Sequence, residues 1–215
     1  MWSARRWAVL FAVIGSAGLL AQTKHPEPGT SAPKTQACGP IADSALKCPR
    51  FGYTYKVPFG WVDRTSDTQD EASNAPPDSD QGTSSAKPET LLAIFERPPG
   101  APGDAINSAV VIAAEPLKNY PQIKQASDYF GPITELAEQR GFKVENEPYA
   151  FPVGAMQFAR GDFSKQRGKL TMWQSSLVMI EKGYIVSFTI VAGSEDEAEE
   201  LIGNLSFTTK AEIKK

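Results

Sequence analysis

The sequence predicts an α+β domain, an antiparallel β-sheet with helices packed on it. Two observations carry this. Residues 143–192 are almost unbroken strand signal, cut by short Gly-containing turns. Helical spacing of apolar residues is confined to two stretches, one before that run and one after it.

The chain of 215 residues opens with Met1, Arg5 and Arg6, followed by an apolar run from Ala8 to Ala21. Positive charge, a short apolar core and small residues at its end make a secretory signal peptide, with cleavage expected between Ala21 and Gln22. The run is short for a membrane span, which needs roughly 20 residues, so no span is expected after cleavage. Trp7-Ala8-Val9 after the arginine pair matches a twin-arginine signal poorly, and ordinary export to the periplasm or the outside is the reading. Residues 22–50 are rich in Pro, Thr, Ser, Ala and Lys and read as a spacer. The two cysteines of the chain, Cys38 and Cys48, fall in it. In an exported protein the simplest reading is a structural disulfide. A redox dithiol favours a Cys-x-x-Cys spacing, which is absent, and a metal pair lacks nearby ligands.

The folded domain is expected from Phe51 to about residue 210. Tyr53, Tyr55 and Val57 alternate with Thr54 and Lys56, a half-buried strand. Pro58-Phe59-Gly60-Trp61 reads as a turn, with Trp61 anchoring it to the core. Residues 64–90 are polar and acidic, hold Pro76-Pro77, and read as a disordered insertion. Leu91 to Glu96 and Ala109 to Ala114 are apolar runs bounded by breakers, expected as central strands. In 122–141 Ile123, Ala126, Phe130, Ile133, Leu136 and Ala137 recur at helical spacing. Gly131-Pro132 splits them into two short helices or one kinked helix, since proline suits a first turn. Strands follow at 143–151, 154–163, 169–181 and 184–192. In the last, Tyr184, Val186, Phe188 and Ile190 form an apolar face, and Ile185, Ser187, Thr189 and Val191 a mixed one, so the sheet is expected to be covered on both sides, less tightly on one. Ser194 to Glu197 is a capping box, and Ala198, Leu201, Ile202 and Leu205 give the closing helix an apolar stripe.

The aromatic strand with Pro58-x-Gly60-Trp61, the Gly154-x-x-x-Phe158 segment running to Phe163, and Gly183-Tyr184 leading through the last strand to Leu205-Ser206-Phe207 resemble the PsbP-like (Mog-like) domain family. The resemblance spans roughly residues 51–208. It implies an antiparallel sheet of six or seven strands sandwiched by helices. It also implies an accessory or binding role rather than an enzymatic one, and names no partner-contact residue.

Chemistry is sparse. The one histidine, His25, lies in the leader, so a Ser/His/Asp triad, a Cys/His dyad and a His-rich metal site have no histidine in the domain. The net charge of −3, falling to −5 once Arg5 and Arg6 are cleaved off, argues against nucleic acid and anionic membranes as partners. Asp78-x-Asp80-x-Gly82 with Glu89 matches a calcium loop only incompletely, because Thr83 stands where glycine is required. Glu145 and Glu147 share the solvent face of a strand and, as a carboxylate pair, are the alternative enzymatic reading. Lys165, Arg167 and Lys169 crowd a hairpin tip and, with Trp173, are the candidate partner contacts. No catalytic, cofactor-binding or metal-binding residue is assigned. The functional expectation is an exported, non-catalytic binding or accessory module of the bacterial cell envelope, monomeric, whose partner is another envelope protein. The alternatives are a carboxylate-based enzyme and a calcium-binding protein.

Overall fold

A computed structural model describes residues 38–74 and 88–207. The leader, its Ala21/Gln22 cleavage point, Asp78, Asp80 and the Lys-rich tail lie outside the described residues. Among the described residues, twelve strands and three α-helices follow in chain order. The strands β1 (Ile41–Ala42), β2 (Ala45–Cys48) and β3 (Tyr53–Lys56) form a small antiparallel sheet, closed on its other side by β12 (Leu205–Phe207). The large sheet is antiparallel. Its path runs through β4 (Val62–Asp63), β5 (Glu89–Phe95), β6 (Ala109–Pro116), β11 (Tyr184–Ala192), β10 (Leu170–Glu181), β9 (Met156–Arg167) and β7 (Lys143–Val144), and β8 (Tyr149–Val153) also pairs with β9. The α+β class and the antiparallel sheet are as the sequence predicts. The large sheet has eight strands rather than six or seven, because two-residue pieces such as β4 and β7 extend its edges.

Each face of the large sheet has its own core. On one face Leu92, Ile112, Leu177, Val186 and Phe188 meet the small sheet's Tyr53 and Tyr55 and the stripe Ala198, Leu201 and Ile202 of α3 (Glu195–Gly203). This layer therefore combines helix and sheet and is not helix alone. On the other face Phe163, Val178 and Ile185 meet Ile123, Phe130 and Ala137. These belong to the segment leading into α2 (Phe130–Gln139), which follows a 3-10 turn over Ala126–Tyr129, with Pro132 in the first turn of the α-helix. Ser194 caps α3 as predicted, its Oγ accepting from the Glu197 N–H at 3.1 Å, while the reciprocal bond lands one residue early, Glu197 accepting from the N–H of Gly193 at 2.8 Å.

Three boundaries differ from the sequence reading. Residues 38–50 are not spacer. Leu46 and Cys48 are buried in the main core, and the disulfide Cys38–Cys48 closes this hairpin with its Cα atoms 4.2 Å apart. A loose segment cannot pair strands, and here β2 pairs with β3 over four residues. Thr65–Asn74, inside the expected insertion, is helix α1. It has no apolar stripe, and polar bonds dock it on β5: Gln69 donates to the Thr90 carbonyl at 2.6 Å and Thr65 Oγ1 accepts from the Ala93 N–H at 3.0 Å. Finally, 143–151 is two strands and not one. Between them the side-chain oxygen of Asn146 accepts the N–H of Asp162 at 3.2 Å in place of a ladder bond.

Candidate functional site

The turn between β3 and β4 holds a phenyl ring wholly in water. Phe59 is 102% exposed relative to an extended reference. On both sides of it the chain is fixed, since Val57 and Trp61 pack against the main core. Gly60 takes φ +81°, a conformation costly for any residue with a Cβ, and the Trp61 N–H returns to the Pro58 carbonyl at 3.4 Å. Lys56 on β3 and Val57 are held by the Asn204 and Ser44 carbonyls at 3.0 and 2.8 Å. Sequence reasoning placed Trp61 as the anchor, which its packing matches, but left Phe59 without a role.

A second feature lies inside the fold. Arg160 and Asp162 stand two apart on β9 and so share a face, the one covered by α3. Arg160 Nε donates to Asp162 Oδ1 at 2.8 Å and its Nη2 to Glu199 Oε1 of α3 at 2.5 Å. Ser175, paired opposite Asp162 on β10, donates to the same Oδ1 at 2.6 Å, while Asn146 and Tyr149 each donate to Oδ2 at 3.1 Å. The rings of Phe151 and Tyr149 flank the guanidinium at 4.8 and 5.9 Å. Burial alone would push the Asp162 carboxyl up. The hydrogen bonds from Ser175, Arg160 and Asn146 outweigh it and hold the group below its ordinary value of 3.8. Burial opposes the charge of Arg160 as well, and Glu199 and Asp162 more than restore it. Tyr149 is pushed up to about 12 by burial and then by the Asp162 charge.

On the opposite face α2 leaves a cleft of about 60 Å³. Its roof is Pro132, Ile133 and Leu136, and its floor is the polar strip Gln174, Ser176, Ser187 and Thr189 of the mixed face. At its end Tyr129, like Tyr120, donates to the buried carboxylate of Glu115. Burial, then the Glu115 charge, raises the Tyr129 phenol well above its ordinary value.

The residues singled out by the sequence do not form one patch. Register places Lys165 and Arg167 on the α2 face of β9 and Trp173, opposite Ser164, on the α3 face. Lys165 is engaged: it donates to the Arg140 carbonyl at 2.5 Å and lies 5.6 Å from the Phe142 ring. Arg167 and Lys169 are exposed at the hairpin tip, and Trp173 is half-buried. Glu89 begins β5 in an ion pair with Arg50 at 2.9 Å. Glu145 accepts from Ser164, and neither it nor Glu147 is on a strand. Among the described residues no group of three His, Cys, Asp or Glu side chains is arranged to hold a metal ion, and no helix is long and apolar enough to cross a membrane.

No protein-family model matches this chain, and no curated protein is significantly similar to it. Among solved structures it is similar to the cyanobacterial PsbP of Synechocystis sp. PCC 6803, at 11% identity over 80% of this chain and 97% of that one, with a TM-score of 0.45. It is also similar to a Pseudomonas aeruginosa protein of unknown function described as a putative regulator, at 18% identity over 60% and 81% of the two chains, TM-score 0.35. A third is LpqN of Mycobacterium tuberculosis, described as involved in cell envelope biogenesis, at 13% identity over 73% and 83%, TM-score 0.34. Activity does not travel with chain path at such identities.

Proposed function

We propose that this protein is an exported, non-catalytic binding module of the cell envelope and that Phe59 is its anchor into an apolar pocket on a partner protein. The observation that carries the reading is the bare phenyl ring on a turn fixed at both sides. Burying a phenylalanine side chain is worth about 1.5–3 kcal/mol, and this ring keeps that free energy unspent in the isolated chain. A rigid presenting turn also loses little conformational entropy on docking, which favours an aromatic hot spot. The disulfide supports the exported half of the proposal, since such bonds persist in oxidising compartments. Placement in the envelope by a cleaved leader belongs to the same proposal.

The test is site-specific photo-crosslinking in the producing cell. A photoreactive phenylalanine analogue at position 59 should give a discrete adduct, and one at exposed Leu170 should not. The adducted protein, purified, should bind the native domain and lose at least about tenfold in affinity for Phe59→Ser, since a hot-spot truncation removes about 2 kcal/mol or more. Equal affinity for the two forms would refute Phe59 as the anchor. Turnover of a substrate by the purified domain would overturn the non-catalytic reading.

A further inference from the structure

Two carboxylates converge on Arg160, and they are not equivalent. Asp162 lies on the same strand, its side chain is 10% exposed, and Ser175, Asn146 and Tyr149 bind it in addition to Arg160. With Arg160, itself 4% exposed at the side chain, it makes a neutral pair that satisfies the usual condition for burying charge. Glu199 is a second negative charge on a pair already balanced. It reaches in from α3, its side chain is 48% exposed, and it takes Nη2, which also donates to Ser175 Oγ at 3.3 Å. The aromatic rings of Phe151 and Tyr149 wall the guanidinium beside it. A guanidinium nitrogen beside an aromatic wall makes a receptor for one carboxylate.

We infer that Glu199 is an internal stand-in at a carboxylate-binding site, displaced when a partner protein presents its own carboxylate to Arg160. Electrostatics permits the exchange, because the Arg160–Asp162 pair stays neutral and buried whichever carboxylate occupies the outer position. Being tethered, Glu199 competes at an effective concentration on the order of millimolar or above, so the native site admits a carboxylate only from a ligand held by further contacts. Arg160 is on β9 and Phe59 on the β3–β4 turn, so each site is tested with the other intact.

The experiment titrates sodium acetate against chloride at constant ionic strength, following the Arg160 Nε–H resonance in the native chain and in Glu199→Ala. Removing the tethered competitor should tighten acetate binding at least about tenfold, the weight of one charge-assisted hydrogen bond. If Glu199→Ala does not fold, Glu199→Ser carries the same expectation. A peptide with a free C-terminal carboxylate should compete with acetate, and its C-terminal amide should not. The inference is overturned if acetate leaves Arg160 unmoved in the variant, if native and variant chains bind acetate equally, or if inorganic phosphate binds as tightly as the peptide, which would make the site one for small anions.

Discussion

Gly161 sits between Arg160 and Asp162 on β9 and faces the other way, toward α2. A Cβ built on it would lie 2.6 Å from Cε1 and 2.9 Å from Cδ1 of Phe130. Ordinary contact begins near 3.4 Å, so the ring or the strand must yield by most of an ångström. Neither moves freely. Phe130 is buried among Ile123, Tyr129, Ala137 and Phe163, and β9 is paired on both sides. Replacing a strand glycine by alanine normally gains about 0.5–1 kcal/mol from the unfolded chain. Overpacking a close-packed site costs about 1–3 kcal/mol, and a forced shift this large belongs at the upper end. The net expectation for Gly161→Ala is a loss of about 1–2 kcal/mol, or a fall in Tm of roughly 2–8 °C for a domain of this size. Urea denaturation of Gly161→Ala, Phe130→Leu and the double variant forms a cycle in which the smaller leucine should restore room for the methyl. A favourable coupling of about 1 kcal/mol is expected. Native stability in Gly161→Ala, or strict additivity across the cycle, would refute the packing of Phe130 on Gly161.

Other expectations follow from the same geometry. Replacing both cysteines by serine should destabilise the whole domain by about 2–5 kcal/mol in denaturant melts, because the disulfide lies in the main core; unchanged stability would return residues 38–50 to a spacer role. Since the folded Asp162 carboxyl titrates below 3.8, its bonds stabilise the domain fully above that value and are lost as pH falls through the folded one. Asp162→Asn should therefore flatten the acid limb of the stability–pH curve, and an unchanged limb would assign it to other carboxylates. Phe59→Ser should leave stability within about 0.5 kcal/mol of native, because the ring touches no core; a larger loss in thermal melts would show the turn to be packed. Gln69→Ala should cost about 1 kcal/mol, and a hydrogen-exchange comparison should show α1 and β5 loosening together.

What was legible depended on periodicity. The faces of β11 and the cap and stripe of α3 write their surroundings into neighbouring residues, and the first-turn preference of Pro132 marks the start of α2, although the break itself falls before Phe130 and not at Gly131-Pro132. Helix α1 does not, because its docking runs through a glutamine and a threonine and leaves no stripe to read. The small sheet was hidden for another reason. The alternation Ala45-Leu46-Lys47-Cys48 is a strand signal, but it is short and sits in Pro-rich surroundings. What makes it a strand is β3, itself held by β12 some 150 residues later. At the site, Arg160 and Asp162 were visible as charges two apart between Phe158 and Phe163, on a face that must be buried. That conflict with burial was the available signal. The identity of their third partner, Glu199, depends on where α3 lands and could not be read locally. Phe59 gave no sign of exposure, since an aromatic next to glycine in a turn is as often packed as bare.

The small sheet also decides how the domain meets mechanical load. Phe207 pairs with Tyr53, and the disulfide joins Cys38 to Cys48 just ahead of that pair. Tension between the two ends of the described chain therefore bypasses the β1–β2 hairpin, enters beside Tyr53 and leaves beside Phe207. The two strands are pulled apart at adjacent ends, so their hydrogen bonds break in succession, as in a zipper, rather than resisting together in shear. Weak force should peel β12 away and slacken α3, which Tyr55 holds through the Leu201 carbonyl at 3.0 Å, while the eight-stranded sheet stays unloaded. Because α3 carries Glu199, a domain stretched between two attachments would uncover Arg160 before it unfolds.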